Sequence, residues 1–429
     1  MSQERLRAAI DDALTRRPRA LAVVTAGGVF TYQELARRMP EFQDRTVSVR
    51  VSDRSIGDVA FVVSALLADR PFQFVSPERW GAGGARAAAE RAVSERTGST
   101  PVAYLTRSSG TRSDGTALHL VSRRSLGLYL DGLLDRIGAA PESSFAVSTP
   151  LWYDLSYTSL FGALAVGGCV HLLSAAACSS GRQFAAYFRT RPVDYLKITP
   201  TLFSALYEGS VRPTVAVIFG GELLPWWLVE RVRGAGGDAP RLFNHYGPAE
   251  TTIGACAGEV PPSREGTESV PIGAPLRHVA AAIDVDAPIG GDRTVGELIL
   301  SGPQVTANLD LNEAGQLAYR TRDRVRALPG GGYEFLGRLD RRVKVRGELV
   351  DLSEVERLVR GLAGVGQVTA GPIGDAPAEQ LLLSVTPAAG VRLDRRDIYR
   401  HLERYGPAAW GQSLVRIQAH EPHESGKRR

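Results

Sequence analysis

Lysine is almost missing from this chain of 429 residues. Of 51 basic residues only three are lysine, Lys197, Lys344 and Lys427, and all the others are arginine. Arginine is thus accepted wherever charge alone suffices. The three lysines are expected where a compact ammonium is needed and a planar guanidinium does not fit. Cysteine is also scarce: Cys169, Cys178 and Cys256 are odd in number and have no metal-ligand spacing. That argues against a disulfide framework and fits a reducing, cytoplasmic setting. Long apolar runs are absent too. The longest, residues 160–178, is interrupted by Gly167-Gly168 and His171. It reads as a buried helix, a break and a strand, which argues against a membrane span. The N-terminus, MSQERLRAAIDDALTRRPRA, is too charged for a signal peptide. The net charge is only +5, with no basic stripe interleaved with aromatics, so nucleic acid is not an expected partner.

What is present describes a globular α/β protein, with 44% apolar and 23% charged residues. From about residue 55 to 260, helical patterns alternate with short apolar strands: FVVSALLA then FQFVS, FGALAVGG then CVHLL, FAAYFRT then DYLKIT, and VAVIFGG before a helix. Such alternation predicts parallel-rich sheets with flanking helices, and ligands at the carboxyl ends of the strands. From about 270 to 337, short strands separated by Pro, Gly and Asp predict a β-rich lobe. These segments make a large N-terminal domain, 1–339. A small C-terminal α+β domain is expected over 340–429.

One loop raises a chemical question. RSSGTRSDGT, residues 107–116, follows the apolar run PVAYL. A strand entering a loop of Ser, Thr and Gly offers backbone N–H groups and hydroxyls to phosphate. Loops that grip a nucleotide triphosphate usually add a lysine, and this one has none.

Four further segments share the chain with that loop: WYDLSYTS (152–159), NHYGPAETT (244–252), YRTRD (319–323) and GRLDRRVKVRGELVDLSEVE (337–356). In this order, and over nearly the whole chain from FTYQEL (30–35) to SGK (425–427), they resemble the adenylate-forming enzymes. Within that superfamily they are most similar to the amino-acid adenylation domains of nonribosomal peptide synthesis. The resemblance implies activation of a carboxylate by ATP, release of pyrophosphate, and transfer to the phosphopantetheine thiol of a carrier protein. It assigns Ser108, Ser109, Gly110 and Thr111 to the phosphates. Glu250 would hold Mg2+ through its carboxylate, and Thr251 would donate to the α-phosphate. Tyr246 would face adenine and Asn244 its edge. Asp323 would accept the ribose hydroxyls, backed by Arg338. Lys427 would meet the charge that develops on the reacting carboxylate and α-phosphate. Asp340 is the implied hinge of a mobile lid, and Lys344 and Gly347 belong to its thioester-forming face.

The second half of the loop departs from the family pattern: Ser113 stands for Gly, Gly115 for Pro and Thr116 for Lys. Either Arg107 or Arg112 can supply the missing charge, and loss of catalysis is the rival reading. The family's TGD is also altered, with Arg322 at the Gly.

In the family, an aspartate in the position of Asp154 pairs with an α-ammonium. Threading the remaining pocket positions gives Asp154, Leu155, Thr158, Lys197, Ile218, Gly220, His245, Ile253, Gly254 and Lys427. The resulting pattern resembles that of aspartate-activating domains. Chemistry agrees: Lys197 and His245 would form a cationic, donor-rich pocket for a side-chain carboxylate. A lysine in an apolar strand implies an anion nearby. Gly220 would leave room for a 3-substituted aspartate. With no carrier-protein motif and no condensation domain, the chain is expected to be freestanding and to serve a separate carrier protein in trans. A small accessory activator protein is a further candidate partner. The motif expected near residues 403–411 is reduced to ERYGPAAWG. Two rivals stand: a ligase that passes aspartyl-AMP to coenzyme A or a small amine, and a non-catalytic relative that keeps only the pocket.

Overall fold

The computed structural model describes residues 2–42, 47–81, 84–95, 101–107, 118–209, 213–234, 239–264, 266–285, 294–305, 310–311, 317–345, 348–373, 380–388, 391–405 and 413–417. Among them a nine-stranded sheet dominates. Its middle is parallel: strand Arg241–Tyr246 pairs with Ala216–Gly220, then come Tyr195–Ile198, Phe145–Val147, Val170–Leu172 and Leu21–Thr25. These strands read as apolar runs because both faces are covered. Side chains alternate between two cores. Ile218 and Phe243 join one, and Val217, Phe219 and Leu242 join the other.

A second, four-stranded sheet takes Ser48–Val51, Phe72–Val75, Val102–Arg107 and Leu118–Ser122 in that order. Its last two strands are antiparallel and flank the Ser/Thr/Gly loop. Ser122 caps the next helix, Arg123–Ile137, by accepting from Ser125 N–H, and Gly138 ends it at φ 68°. This helix and Tyr157–Ala165 both supply buried residues to the core that contains Ile218 and Phe243.

The β-rich lobe is antiparallel. Its longest strand, Leu317–Ala327, contains YRTRD, read from sequence as a motif rather than as part of a strand. Thr321 and Asp323 occupy buried positions in it, so polar residues sit where a strand pattern would show apolar ones. C-terminal to it, strands Arg342–Val345 and Glu348–Asp351 pair. A three-stranded sheet, Val365–Ile373, Gln380–Pro387 and Leu414–Ile417, packs with helices Leu352–Arg360 and Arg395–Tyr405 around a separate core that includes Val355, Leu383 and Ile398. The observed fold is thus α/β with large parallel-rich sheets, a β-rich lobe and a small α+β portion.

Candidate active site

Pairing register brings the pocket residues to one sheet face. Lys197 lies opposite Ile218, and Gly220 opposite His245, on adjacent parallel strands. Lys197 is only 2% exposed. Its Nζ donates to the Phe219 carbonyl at 3.2 Å and to His245 Nδ1 at 2.9 Å. An ammonium has donors only, so Nδ1 must accept and Nε2 must carry the ring hydrogen. Nε2–H then donates to Tyr129 Oη at 3.4 Å, and Tyr129 gives its own hydrogen to Thr158 Oγ1 at 2.8 Å. Burial, and secondarily Lys197, hold the His245 pKa well below its ordinary value. The imidazole is therefore neutral. Of the two residues expected to make a cationic, donor-rich pocket, Lys197 supplies the charge and His245 only hydrogen bonding.

Two glycines make this arrangement fit. A Cβ at Gly220 would overlap Lys197 Nζ, and one at Gly254 would overlap the His245 ring. The space at Gly220 thus belongs to the lysine.

Asp154 begins the 3-10 turn Asp154–Ser156, which runs into helix Tyr157–Ala165, with Leu155 beside it. Tyr104, Tyr129 and Tyr157 surround it. Burial first, and the Asp154 carboxylate next, raise the pKa of Tyr104 and Tyr157. Tyr129 links the two ends, feeling Asp154 and touching His245. The Asp154 carboxylate and the Lys197–His245 pair thus share Tyr129 as a neighbour.

A second cluster forms where the β-rich lobe meets strand Arg241–Tyr246. Tyr246 Oη donates to Asp323 Oδ2 at 2.5 Å, and Arg338 Nη1 meets Asp323 Oδ1 at 3.0 Å. Asn244, expected to meet the adenine edge, donates its Nδ2 hydrogens to the carbonyls of Val270 and Pro271 at 3.1 and 3.0 Å. Thr251, expected to donate to phosphate, is buried and donates its hydroxyl to the Pro248 carbonyl at 2.8 Å. In both cases a buried polar group takes a nearby backbone acceptor. Glu250 is the second residue of the 3-10 turn Ala249–Thr251. Tyr319 shares a hydrogen bond with it, and burial followed by Glu250 and Asp323 raises the Tyr319 pKa.

The turn carrying these residues is strained. Thr252 and Ile253, both β-branched, have φ of 61° and 68°. Gln304 clamps it: Nε2 donates to the carbonyls of Thr251 and Gly254, and Thr252 Oγ1 donates to the Gln304 carbonyl. Sequence reading missed Gln304, Tyr129 and Tyr319, which lie far along the chain from the groups they touch.

Comparison with known proteins decides the family. A family model described as AMP-binding enzyme matches residues 73–308, more than half of the chain. The chain belongs to the AMP-binding enzyme family. It is 27% identical to surfactin synthase subunit 2 of Bacillus subtilis, over 66% of this chain and 8% of that protein. It is 28% identical to an L-proline--[L-prolyl-carrier protein] ligase of Pseudomonas fluorescens, over 70% of this chain and 61% of that one. The chain thus spans less than two thirds of the length of these relatives. In fold it is similar to Klebsiella oxytoca NpsA, solved in complex with 3-hydroxyanthranilyl-AMSN, with a TM-score of 0.76, 19% identity, and coverage of 99% of this chain and 97% of that one.

Of the residues expected to serve this AMP-binding enzyme, Ser108, Ser109, Gly110, Thr111, Gly347 and Lys427 lie outside the described residues. Asp340 falls in the 3-10 turn Leu339–Arg341, and Lys344 on strand Arg342–Val345. Among the described residues no helix is long and apolar enough to cross a membrane.

Proposed function

We propose that the chain is an ATP-dependent, AMP-forming ligase that activates L-aspartate and passes the aminoacyl group to the phosphopantetheine thiol of a carrier protein. The observation that carries this reading is Lys197, a buried lysine whose partner His245 touches Tyr129, which in turn feels the Asp154 carboxylate. A substrate with an α-ammonium and a side-chain carboxylate complements both ends. Each charge would gain a charge-assisted partner from the substrate. The neutral His245 narrows the basis of selectivity. Aspartate is favoured over asparagine through the Lys197 charge, because the His245 Nε2–H is directed to Tyr129.

The substrate's α-carboxylate would attack the α-phosphorus of ATP and expel pyrophosphate. Asp323 would accept the ribose hydroxyls, with Arg338 and Tyr246 fixing its two oxygens. Glu250 is the residue that would hold Mg2+. One carboxylate, completed by phosphate oxygens and water, is the donor set this ion takes in nucleotide sites, where it offsets phosphate charge. Lys427 would stabilise charge at the reacting carboxylate. The segment 340–429 would be the lid, turning about Asp340 to present Lys344 and Gly347 for thioester formation. The carrier partner is favoured by the likeness to a prolyl-carrier-protein ligase. A small accessory activator protein remains part of this reading.

Amino-acid-dependent ATP–pyrophosphate exchange tests it, with L-Asp, L-Asn, L-Glu and 3-methylaspartate. Exchange with L-Asp is expected, falling at least a hundredfold in Lys197→Met and Lys427→Ala, on the order of 3 kcal/mol. Equal exchange with L-Asn in wild type, or undiminished L-Asp exchange in Lys197→Met, would overturn the aspartate reading.

A further inference from the structure

The hairpin Val102–Arg107/Leu118–Ser122 presents an unusual polar face. Thr106 pairs directly with His119, so both side chains leave the sheet on the same side, two residues along from Tyr104. Tyr104 Oη, Thr106 Oγ1 and His119 Nε2 are all buried, and none has a hydrogen-bond partner among the described residues. Thr106 and His119 are each 4% exposed. Nε2 of His119 lies 3.4 Å from Glu250 Oε1 without forming a hydrogen bond. A buried donor left unpaired costs about 1–3 kcal/mol. Two side by side, next to the carboxylate assigned to Mg2+, mark where a polar ligand group belongs.

We propose that Thr106 and His119 bind the β- and γ-phosphoryl oxygens of the nucleotide. The inference rests on the reading of this site as an ATP site and deepens it. The position faces the correct ligand end. Asp323, assigned to the ribose, is held by Tyr246 and Arg338; Tyr319 neighbours both Asp323 and Glu250, and His119 lies against Glu250. Thr106 and His119 also border the loop in which Thr116 replaces the family's lysine. An imidazole N–H and a hydroxyl each supply a donor there, and so offset the lysine that the loop lacks. Both are polyphosphate-positioning residues. They would recognise ATP and pyrophosphate but not AMP.

Calorimetric titration of the whole chain with MgATP, magnesium pyrophosphate and AMP tests this, using His119→Leu, His119→Gln and Thr106→Val, each checked for folding by urea unfolding. His119→Leu and Thr106→Val are expected to weaken MgATP and pyrophosphate binding by about tenfold or more, with AMP affinity unchanged. His119→Gln, which restores an N–H near the position of Nε2, should recover most of the loss. Unchanged MgATP affinity would mean that water alone satisfies the pair. A parallel fall for MgATP and AMP would mean that the pair is structural. Either outcome overturns the inference while leaving the adenylating reading in place. Wild-type protein that binds no nucleotide would remove both.

Discussion

The Lys197 ammonium has only donors to offer, and this sets the direction of the hydrogens from Lys197 through His245 and Tyr129 to Thr158. Tyr129 is the turning point, because its oxygen accepts from His245 and its hydrogen goes to Thr158. Tyr129→Phe removes both bonds and leaves the His245 Nε2–H buried without an acceptor. The expected result is a loss of about 1–2 kcal/mol in unfolding free energy and a roughly tenfold lower kcat/KM for aspartate. Urea denaturation and exchange kinetics measure the two. If neither changes, Tyr129 serves only to fill the core. Lys197, His245 and Thr158 could each be named from sequence because they stand in recognisable motifs. Tyr129 could not, since a tyrosine in the helical stretch SLGLYLDGLL reads as an ordinary core residue. The backbone acceptors of Asn244 and Thr251 could not be named either, because those carbonyls come from packing or from a local turn.

At the scale of elements, the strand Leu317–Ala327 shows what an altered motif costs. Arg322 occupies the position of the family's glycine at φ 60°, beside a break in register against strand Val295–Ser301. Its N–H donates to Glu297 Oε1 at 2.9 Å, which holds the bend, while its side chain is exposed. A left-handed conformation costs a non-glycine residue about 1–2 kcal/mol, whereas glycine adopts it freely at some cost in unfolded-chain entropy. Arg322→Gly is therefore expected to stabilise the protein by about 0.5–1 kcal/mol. A rise in the urea midpoint at constant slope would verify it. A fall would show that the exposed guanidinium contributes more than the strain removes. The departure was legible in sequence. Its physical meaning was not, because a backbone angle is not encoded by one residue's identity.

At the scale of the whole molecule, buried histidines couple stability to pH. Burial, then Arg191, lowers the His171 pKa to about 4, and Tyr187 Oη lies 2.9 Å from its Nδ1. His245 is lowered as well. Both rings take up protons in the unfolded chain at higher pH than in the folded one. Stability therefore rises with pH through this window and is lost as pH falls from about 6.5 toward 4. For His171 alone the loss between pH 7 and pH 5 is about 2 kcal/mol. Urea unfolding at both pH values should show a smaller pH difference in His171→Gln than in wild type. An identical difference would mean that His171 titrates alike in both states.

The order of α and β segments, the β-rich lobe and the family were determined by the sequence. Apolar periodicity and motif order are local along the chain, and they do not depend on what packs where. Scarcity of lysine and its place in the strand motif together marked Lys197. Tertiary structure decided the rest. It made His245 neutral by setting it in a dry core beside an ammonium, filled the space at Gly220 with that ammonium, and turned Asn244 and Thr251 toward carbonyls. It also brought His119 and Thr106 to Glu250 from strands far away in sequence. Burial and long-range contact set protonation state, hydrogen-bond direction and free volume, and none of these is a property of a residue by itself.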